Sequence, residues 1–462
     1  MEANYILVIL MFVTFIGLLF TGVPVGYVLG GVALLFSFLG YLSDMYLDTM
    51  TGLDFNALGM LGDRIFQMMS NWVLVAIPLF IFMGLMLDRS GIAEQMMLAI
   101  QDLFGKIKGG LAVTVALTGI ILAASTGIIG ASVVLLALLS LPAMLNQGYS
   151  KSLATGTVAA AGTLGILIPP SIMLVVMADQ LALPVGDLFM GALFPGLVLG
   201  SLYIGYILIY GLVFPQGAPL PEGGSQKLSL SVLFRVVKTI LPPVALVFLV
   251  LGTIFFGIAT PTEASGMGAL GASLLALFNR KLNLNTIKEV ALGTFKITGF
   301  IFGIWVGATV FALVLRLLGG DELIEMTLTS LPFGPYGVVL VILAAVFFLG
   351  FFLDWIEICL IILPLLGPVV TKLGLGFDGQ GVVDNPELVW FTVLVAVTLQ
   401  TSFLTPPVGP SIFFLQGVAP SDIKLQDIYK GVVPFIVLQL IGLAVVMIWP
   451  QLVIWLPITA YR

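Results

Sequence analysis

The sequence predicts an all-helical, polytopic membrane protein built as an inverted repeat, with five membrane spans and one re-entrant hairpin in each half. Three observations lead to this prediction. Hydrophobic residues make up 60% of the chain and charged residues only 9%, whereas soluble domains carry about 25% charged residues. Two apolar segments are interrupted by adjacent prolines, Pro169-Pro170 and Pro406-Pro407. Basic and acidic residues gather in alternate loops.

The residue types exclude several classes of protein. The sequence contains no histidine and a single cysteine, Cys359. The missing histidine removes the commonest general base and metal ligand, and one cysteine cannot form an internal disulfide or a thiolate cluster. The sequence has no glycine-rich loop ending in Lys-Ser or Lys-Thr, so we expect no ATP binding. We also expect no nucleic-acid partner and no catalytic residues, and therefore a protein that is not an enzyme.

The first half of the predicted fold covers residues 1–214. Its start, Met1–Thr21, lacks the basic region and cleavage pattern of a signal peptide and predicts a first membrane helix. The predicted spans are Tyr5–Thr21, Gly26–Leu42, Trp72–Leu87, the broken span Leu153–Ile168 with Ile172–Leu181, and Leu188–Val213. The segment from Asp44 to Asp63 is half polar and interfacial, and Asp88–Lys108 is amphipathic and predicted to lie along the membrane surface.

The second half, residues 230–462, follows a Pro-, Gly- and Ser-rich loop at residues 215–229. Its predicted spans are Thr239–Gly257, Ala264–Phe278, Gly299–Leu318, the broken span Trp390–Leu404 with Ser411–Val418, and Val432–Trp455. These apolar runs approach the ~20 residues that a bilayer crossing needs.

Each half also contains a predicted re-entrant hairpin, at about residues 111–145 and about residues 338–370. The arms of the first hairpin are about 14 residues each, which is short for a full crossing. Its tip is predicted near Ser125–Ser132, and the tip of the second is Asp354-Trp-Ile-Glu357.

Matching residues in the two halves indicate an internal repeat. Pro24 and Pro261 are 237 residues apart, as are Pro169 and Pro406. After a three-residue insertion, Ser171, Asp187 and Gly191 match Ser411, Asp427 and Gly431, each 240 residues apart.

The charge pattern predicts that the repeat is inverted. Basic residues mark cytoplasmic loops. If both termini lie on the periplasmic side, all basic loops fall on the cytoplasmic side and all acidic loops on the periplasmic side. An odd number of crossings per half makes the halves antiparallel. Paired interruptions of this kind point to the binding site of a secondary transporter.

Three motifs carry a family resemblance, namely Ala259-Thr-Pro-Thr-Glu-Ala264, Ile168-Pro-Pro-Ser171 at the end of Gly162–Ser171, and Leu404-Thr-Pro-Pro-Val-Gly409. The hairpin tips at Thr126-Gly127 and Leu353-Asp354 also correspond to the pattern of this family. The sequence resembles the large membrane subunit of tripartite ATP-independent periplasmic (TRAP) transporters over nearly its whole length. One departure is that Ile128 and Ile129 stand where many members have two serines.

The resemblance implies sodium-driven uptake of an organic acid, usually a carboxylate, in the inner membrane of a bacterium or archaeon, with both termini periplasmic. It implies two protein partners, a soluble periplasmic binding protein that delivers the substrate and a small four-helix membrane subunit encoded as a separate chain. It also implies an elevator mechanism, in which a transport domain containing both hairpins slides against a scaffold in the lipid bilayer.

Sodium prefers several oxygen ligands, and helix breaks supply free carbonyl groups beside side-chain hydroxyls. The candidate sodium-binding residues are Ser125, Thr126, Gly127, Gly162, Thr163, Gly165, Thr401, Ser402 and Thr405. No other metal is expected. Against this hypothesis, a Ser or Thr in a membrane helix often bonds only its own backbone.

The half-helices that begin after the breaks offer N–H groups to a carboxylate, and charged residues within a membrane are functional candidates. The candidate substrate-binding residues are Ser132, Pro169, Pro170, Ser171, Asp354, Glu357, Pro406, Pro407 and Ser411. No buried basic residue is evident near either break. We expect the site between the two halves near mid-membrane, with each break facing its own hairpin tip.

Two alternatives differ from this hypothesis. A stand-alone ion-coupled transporter of the same architecture would need no binding protein. An intramembrane enzyme is disfavoured, because the sequence has no histidine, no zinc pattern and no evident Ser–Lys or Asp–Asp catalytic pair on adjacent spans.

Overall fold

A computed structural model describes residues 3–47, 49–126, 129–220, 230–377 and 385–460. Within these ranges all regular elements are helices. In hydrocarbon a helix satisfies its own backbone hydrogen bonds, which is why apolar chains of this kind fold as helices. Nine of the described helices are long and apolar enough to cross a membrane.

The helices of the first half include long spans, two amphipathic helices and the paired helices of the first hairpin. They are α1 (Ala3–Leu19), α2 (Val25–Leu47), α3 (Phe55–Met69), α4 (Ala76–Arg89), α5 (Ile92–Phe104), α6 (Gly110–Thr126), α7 (Ile129–Asn146), α8 (Lys151–Thr163), α9 (Ile172–Gln180) and α10 (Val185–Val213). The amphipathic helices are α3, capped by the Asp54 carboxylate on Ala57 N–H at 2.7 Å, and α5.

The remaining helices lie from residue 230 onward. They are α11 (Leu230–Phe255), α12 (Pro261–Phe278), α13 (Leu284–Leu317), α14 (Gly320–Thr329), α15 (Pro335–Leu349), α16 (Trp355–Glu357), α17 (Leu363–Lys372), α18 (Pro386–Leu404), α19 (Pro410–Val418), α20 (Leu425–Ile448) and α21 (Gln451–Ala460). A five-residue π-helical segment, Ile358–Ile362, joins α16 to α17.

The prediction of one closing span at Val432–Trp455 is wrong. The chain instead ends α20 at Ile448 and starts the separate helix α21 at Gln451. Pro450 explains the break, because the ring of a proline disfavours helical geometry at the residue before it, and Trp449 has a non-helical ψ of 77°. The span predicted at Gly299–Leu318 is also longer, since α13 starts at Leu284.

The helices form two groups. An outer group consists of α1–α5 and α11–α14, in which α2 packs on α13 and α4 packs on α12. An inner group consists of both hairpins, both broken spans and the helices α10, α20 and α21. Every residue from Leu153 to Ala178 and from Leu388 to Leu404 is buried, so the two broken spans are the centre of the molecule.

Glycine allows α8 and α20 to approach closely. A Cβ atom on Gly156 would lie 2.1 Å from the Gly431 carbonyl oxygen, and a Cβ on Gly431 would lie 2.2 Å from the Ser152 carbonyl oxygen. Gly191, which matches Gly431 in the repeat, contacts Val389, which matches Ser152. A Cβ on Gly191 would lie nearest to Val453 in α21, at 3.0 Å.

Candidate ion and substrate site at two helix breaks

The first break separates α8 from α9. After Thr163 the chain makes one 3-10 turn, Leu164–Ile166, and then passes through the cis peptide bond between Pro169 and Pro170. Neither proline has a backbone N–H. Ser171 then caps α9 and donates its hydroxyl across the break to the Ile166 carbonyl at 2.5 Å, so one of the freed carbonyl groups is satisfied.

The second break separates α18 from α19 and has the same design. It contains a cis peptide bond between Pro406 and Pro407, and the Ser411 hydroxyl donates across it to the Phe403 carbonyl at 2.7 Å. Ser411 matches Ser171, and Phe403 matches Ile166 at the 237-residue spacing. The two breaks differ in exposure, because Thr405 and Pro406 are half-buried and Pro407 is exposed, whereas the first break is buried throughout.

The two broken spans touch each other at matching positions. The Gln400 amide donates to the Thr163 hydroxyl and to the Tyr203 hydroxyl, each at 3.4 Å. All three side chains are buried. Thr163 and Gln400 are 237 residues apart, which is the spacing of the repeat, so the contact lies between equivalent residues of the two halves.

The hydroxyls predicted as ion ligands mostly bond to nearby backbone. Thr163 donates to the Ala160 carbonyl at 2.8 Å, Thr401 to Val397 at 2.9 Å and Thr405 to Thr401 at 2.7 Å. A hydroxyl that donates its proton keeps two lone pairs, so these bonds leave each oxygen able to bind a cation.

Ser402 and Gly162 instead contact the hairpins. The Ser402 hydroxyl donates to the Phe347 carbonyl of the second hairpin at 2.9 Å. A Cβ on Gly162 would lie 3.0 Å from both the Cα and the N of Val133 in the first hairpin. Gly165 lies in the 3-10 turn of the first break. Each broken span thus contacts the hairpin of its own half.

The tip of the first hairpin is only partly described. Gly127 lies outside the described residues, and of Ser125 and Thr126 only the helical backbone at the end of α6 is described. Ser132 is buried in the first turn of α7. Gly130, two residues before it, packs directly on the ring of Phe414 in α19.

The tip of the second hairpin carries two carboxylates. Asp354 caps α16 by accepting the Trp355 N–H at 2.8 Å. Glu357 is 1% exposed, and its Oε2 atom has no hydrogen-bond partner among the described residues. The π-helical segment that begins directly after Glu357 is a feature often found at functional sites.

Each half-helix after a break also contacts the hairpin of the other half, which the sequence did not predict. Helix α9, after the first break, contacts the π-helical segment and α17 of the second hairpin, and α19, after the second break, contacts α7 of the first hairpin. Each half-helix therefore lies between elements of both halves.

Sequence reasoning also missed a crevice of about 310 Å³ that Arg64 and Arg316 line together with Asp179 and with Leu360 and Pro364 of the second hairpin. Arg64 is half-buried and Arg316 is exposed, so they do not contradict the expectation that no buried basic residue lies near either break. The available signal was that both arginines occur among acidic segments of the sequence.

Comparison with known proteins decides the family. The profile of the tripartite ATP-independent periplasmic transporter DctM component matches residues 12–452. The chain belongs to the DctM family. It is a component of a TRAP transport system and not an enzyme, and with its membrane helices it is a multi-pass membrane protein.

Relatives of this DctM protein include two named permeases. The chain is 29% identical over 395 residues to the C4-dicarboxylate TRAP transporter large permease protein DctM of Pseudomonas aeruginosa, which covers 85% of this chain and 88% of the relative. It is 27% identical over 376 residues to the isethionate TRAP transporter permease protein DctMQ of Oleidesulfovibrio alaskensis, covering 81% of this chain and 56% of the relative.

A solved structure shares the fold. The crystal structure of the Alcanivorax borkumensis YdaH transporter, described as having an unusual topology, matches with a TM-score of 0.63 at 12% sequence identity. The match covers 86% of this chain and 90% of that one.

Proposed function

We propose that this DctM protein is the large permease of a sodium-coupled system that takes up an organic acid delivered by a periplasmic binding protein. The observation that carries the proposal is the pair of matching helix breaks, whose broken spans are joined by the buried Gln400–Thr163 contact. Broken helices at a repeat interface are where secondary transporters bind substrate and ion.

An inverted repeat of residues 1–214 and 230–462 is part of the proposal. Two sets of equivalent contacts support it. The serine hydroxyls that bond across the breaks match in both donor and acceptor, and the packing of Gly431 on Ser152 matches that of Gly191 on Val389. Such correspondence is expected when two similar halves pack about a pseudo-twofold axis.

Sodium is proposed as the coupling ion, held near Gly162, Thr163 and Gly165 at the first break and near Thr401, Ser402 and Thr405 at the second. The family is ATP-independent, so another energy source must drive uptake. Within the described residues no group of three or more Asp, Glu or Cys side chains could hold a metal ion. Neutral hydroxyl and carbonyl oxygens suit a hard monovalent cation.

The substrate is proposed to be a small carboxylate that binds between the breaks and the hairpin tips, near Ser132, Ser171 and Ser411 and beside Asp354 and Glu357. The name of the Pseudomonas aeruginosa relative, a C4-dicarboxylate permease, supports this class. The N-termini of α9 and α19 would supply N–H groups to the carboxylate.

Two protein partners complete the proposed system in the inner membrane of a bacterium. One is the periplasmic binding protein. The other is a small membrane subunit, supported by the DctMQ relative, of which this chain covers 56%.

The division into outer and inner helix groups supports an elevator mechanism. Both hairpins and both broken spans belong to the inner group, so substrate and ion would move together with it as one body. The outer group would remain fixed, with both chain termini on the periplasmic side.

Thermal unfolding tests the ion site without knowledge of the substrate. Cys359 is the only cysteine and is buried, so a thiol-reactive dye reports its exposure as the purified protein unfolds. An ion present at ten times its dissociation constant stabilises the folded state by about 1.4 kcal/mol. We expect sodium, and not potassium or choline, to raise the unfolding temperature.

Two variants locate the ion. Ser402→Ala and Thr405→Ala should lose the sodium-dependent shift. Thr327→Ala should keep it, because the Thr327 hydroxyl bonds to the Leu323 carbonyl on helix α14, away from both breaks. Equal stabilisation of the parent protein by sodium and potassium would contradict sodium coupling. Uptake of labelled succinate into proteoliposomes, with and without binding protein, separates the tripartite system from a stand-alone transporter.

A further inference from the structure

The crevice between the outer and inner groups has a chemistry that the helix breaks lack. Its outer wall consists of α3, which contributes Arg64 and Gln67, and α13, which contributes Trp305 and Arg316. Its inner wall includes Asp179 at the end of α9 and Leu360 in the second hairpin. The volume of about 310 Å³ lies at the lower end of the range for small-molecule sites, which is about 300–1,000 Å³.

The crevice is lined by two arginines and one carboxylate, Asp179. Arg64 is half-buried and has no ion pair within the described residues, whereas Arg316 pairs through its Nε with Asp321 at 3.3 Å. The Asp179 carboxylate is engaged at both oxygens, by the Asn71 amide on one and by the Gln180 amide at 3.1 Å on the other.

A structural role accounts for Arg316 but not for Arg64. Arg316 lies in the last turn of α13, where a positive charge favours the helix dipole. Arg64 lies inside α3, away from either end, and it faces a polar crevice instead of solvent alone. An arginine presents a planar set of donors that matches a carboxylate.

The crevice borders two elements that also belong to the candidate site. Asp179 ends the half-helix of the first break, and Leu360 lies three residues beyond Glu357 on the second hairpin. A ligand in the crevice would therefore contact the outer group on one side and the proposed moving elements on the other.

We propose that this crevice is an anion-receiving vestibule, in which Arg64 and Arg316 hold the carboxylate of an organic acid before it moves between the helix breaks. The proposal rests on the proposed function as an organic-acid permease. The incoming carboxylate competes with Asp321 for Arg316, whereas Arg64 has no ion pair to break within the described residues. A neutral analogue of the same size gains neither contact.

Charged thiol reagents measure the potential in the crevice without any transport step. Gln67 is exposed and lines the crevice, so Gln67→Cys places a thiol beside Arg64, and the buried Cys359 is the background measured in the parent. The rates of an anionic (sulfonatoethyl) and a cationic (trimethylammonioethyl) methanethiosulfonate are compared at low salt, in phosphatidylcholine nanodiscs.

Removing one unit charge about 8 Å away in a high-dielectric medium should change the ratio of anionic to cationic rates by about fivefold. We expect Gln67→Cys/Arg64→Gln to lower the ratio by that factor and Gln67→Cys/Arg64→Lys to retain it. The matched control is Gln67→Cys/Arg235→Gln, which removes a charge that is paired with Asp102 on another surface and should leave the ratio unchanged.

The second arm uses succinate and its neutral diamide at constant ionic strength. Succinate should slow the anionic reagent in the Gln67→Cys protein, the diamide should not, and Arg64→Gln should abolish the protection. Equal ratios with and without Arg64, or equal protection by acid and diamide, would overturn the vestibule. If the anionic reagent is slowed only when phosphatidylglycerol is added, the arginines bind a lipid phosphate. That result would also overturn the vestibule.

The outcome is separable from that of the proposed function. Sodium-dependent stabilisation and uptake with no charge selectivity at position 67 would reject the vestibule alone. Charge selectivity and succinate protection without any sodium effect would leave the vestibule in place and reject sodium coupling.

Discussion

Replacing Gly162 by alanine tests whether the first broken span must touch the first hairpin. The added Cβ would lie 2.4 Å from Cγ2 of Val133 and 3.0 Å from its Cα and N. Rotation of the valine side chain relieves the first contact but not the second. Non-bonded carbon atoms prefer separations of about 3.5–4.0 Å, so the backbone of α7 has to move by at least about 0.5 Å.

This movement has a moderate cost in stability and a larger cost in function. Overpacking of this kind destabilises a protein by about 1–3 kcal/mol. A functional site tolerates displacements of only about 0.5 Å, and Val133 lies four residues after the start of α7, next to the first tip. We expect the sodium-dependent thermal shift to disappear and uptake to fall by about tenfold or more.

The assay is dye labelling of Cys359 during heating, with and without sodium, followed by uptake in proteoliposomes. The matched control is Gly205→Ala in α10, where nothing lies within 4 Å of the added Cβ and alanine should stabilise the helix by about 1 kcal/mol. A Gly162→Ala protein that keeps both its stability and its response to sodium would refute the reasoning.

Three further predictions follow from single contacts. Ser402→Ala removes the bond to the Phe347 carbonyl and should lower the free energy of unfolding by about 1 kcal/mol; an unchanged melting curve would show that the bond contributes nothing. Thr163→Val and Gln400→Leu should show a coupling energy of about 1 kcal/mol in a double-mutant cycle, and additive effects would argue against a direct contact. Glu357→Gln removes a buried carboxylate whose Oε2 has no partner among the described residues. It should leave stability unchanged or raise it by about 1 kcal/mol while lowering uptake, and a strong loss of stability would instead indicate a structural ion pair.

Much of the fold was predictable because it depends on local chemistry. Adjacent prolines lack N–H groups and must interrupt a helix, and the breaks occur where Pro169-Pro170 and Pro406-Pro407 predicted them. The capping box of Thr260 with Glu263 likewise follows from a few neighbouring residues. The division of the closing span was missed, although Pro450 was a sufficient local signal.

The candidate site was predictable only in part. The hydroxyls and glycines of the breaks were identified from their positions beside the prolines, and their role as ion ligands stays a prediction. The contacts of α9 with the second hairpin and of α19 with the first were not foreseen. Contacts between distant segments depend on how whole helices pack, and they produce no sequence pattern in either segment.

The sequence by itself determined that this protein is a helical membrane transporter component with two matching helix breaks, since composition, proline chemistry and the 237-residue spacing are properties of the chain. Only the tertiary structure decided that Thr163 meets Gln400 and that Arg64 and Arg316 line one crevice. The physical reason is that a single residue's chemistry is local, whereas the partner of a polar or charged group is set by the packing of helices that are far apart in sequence.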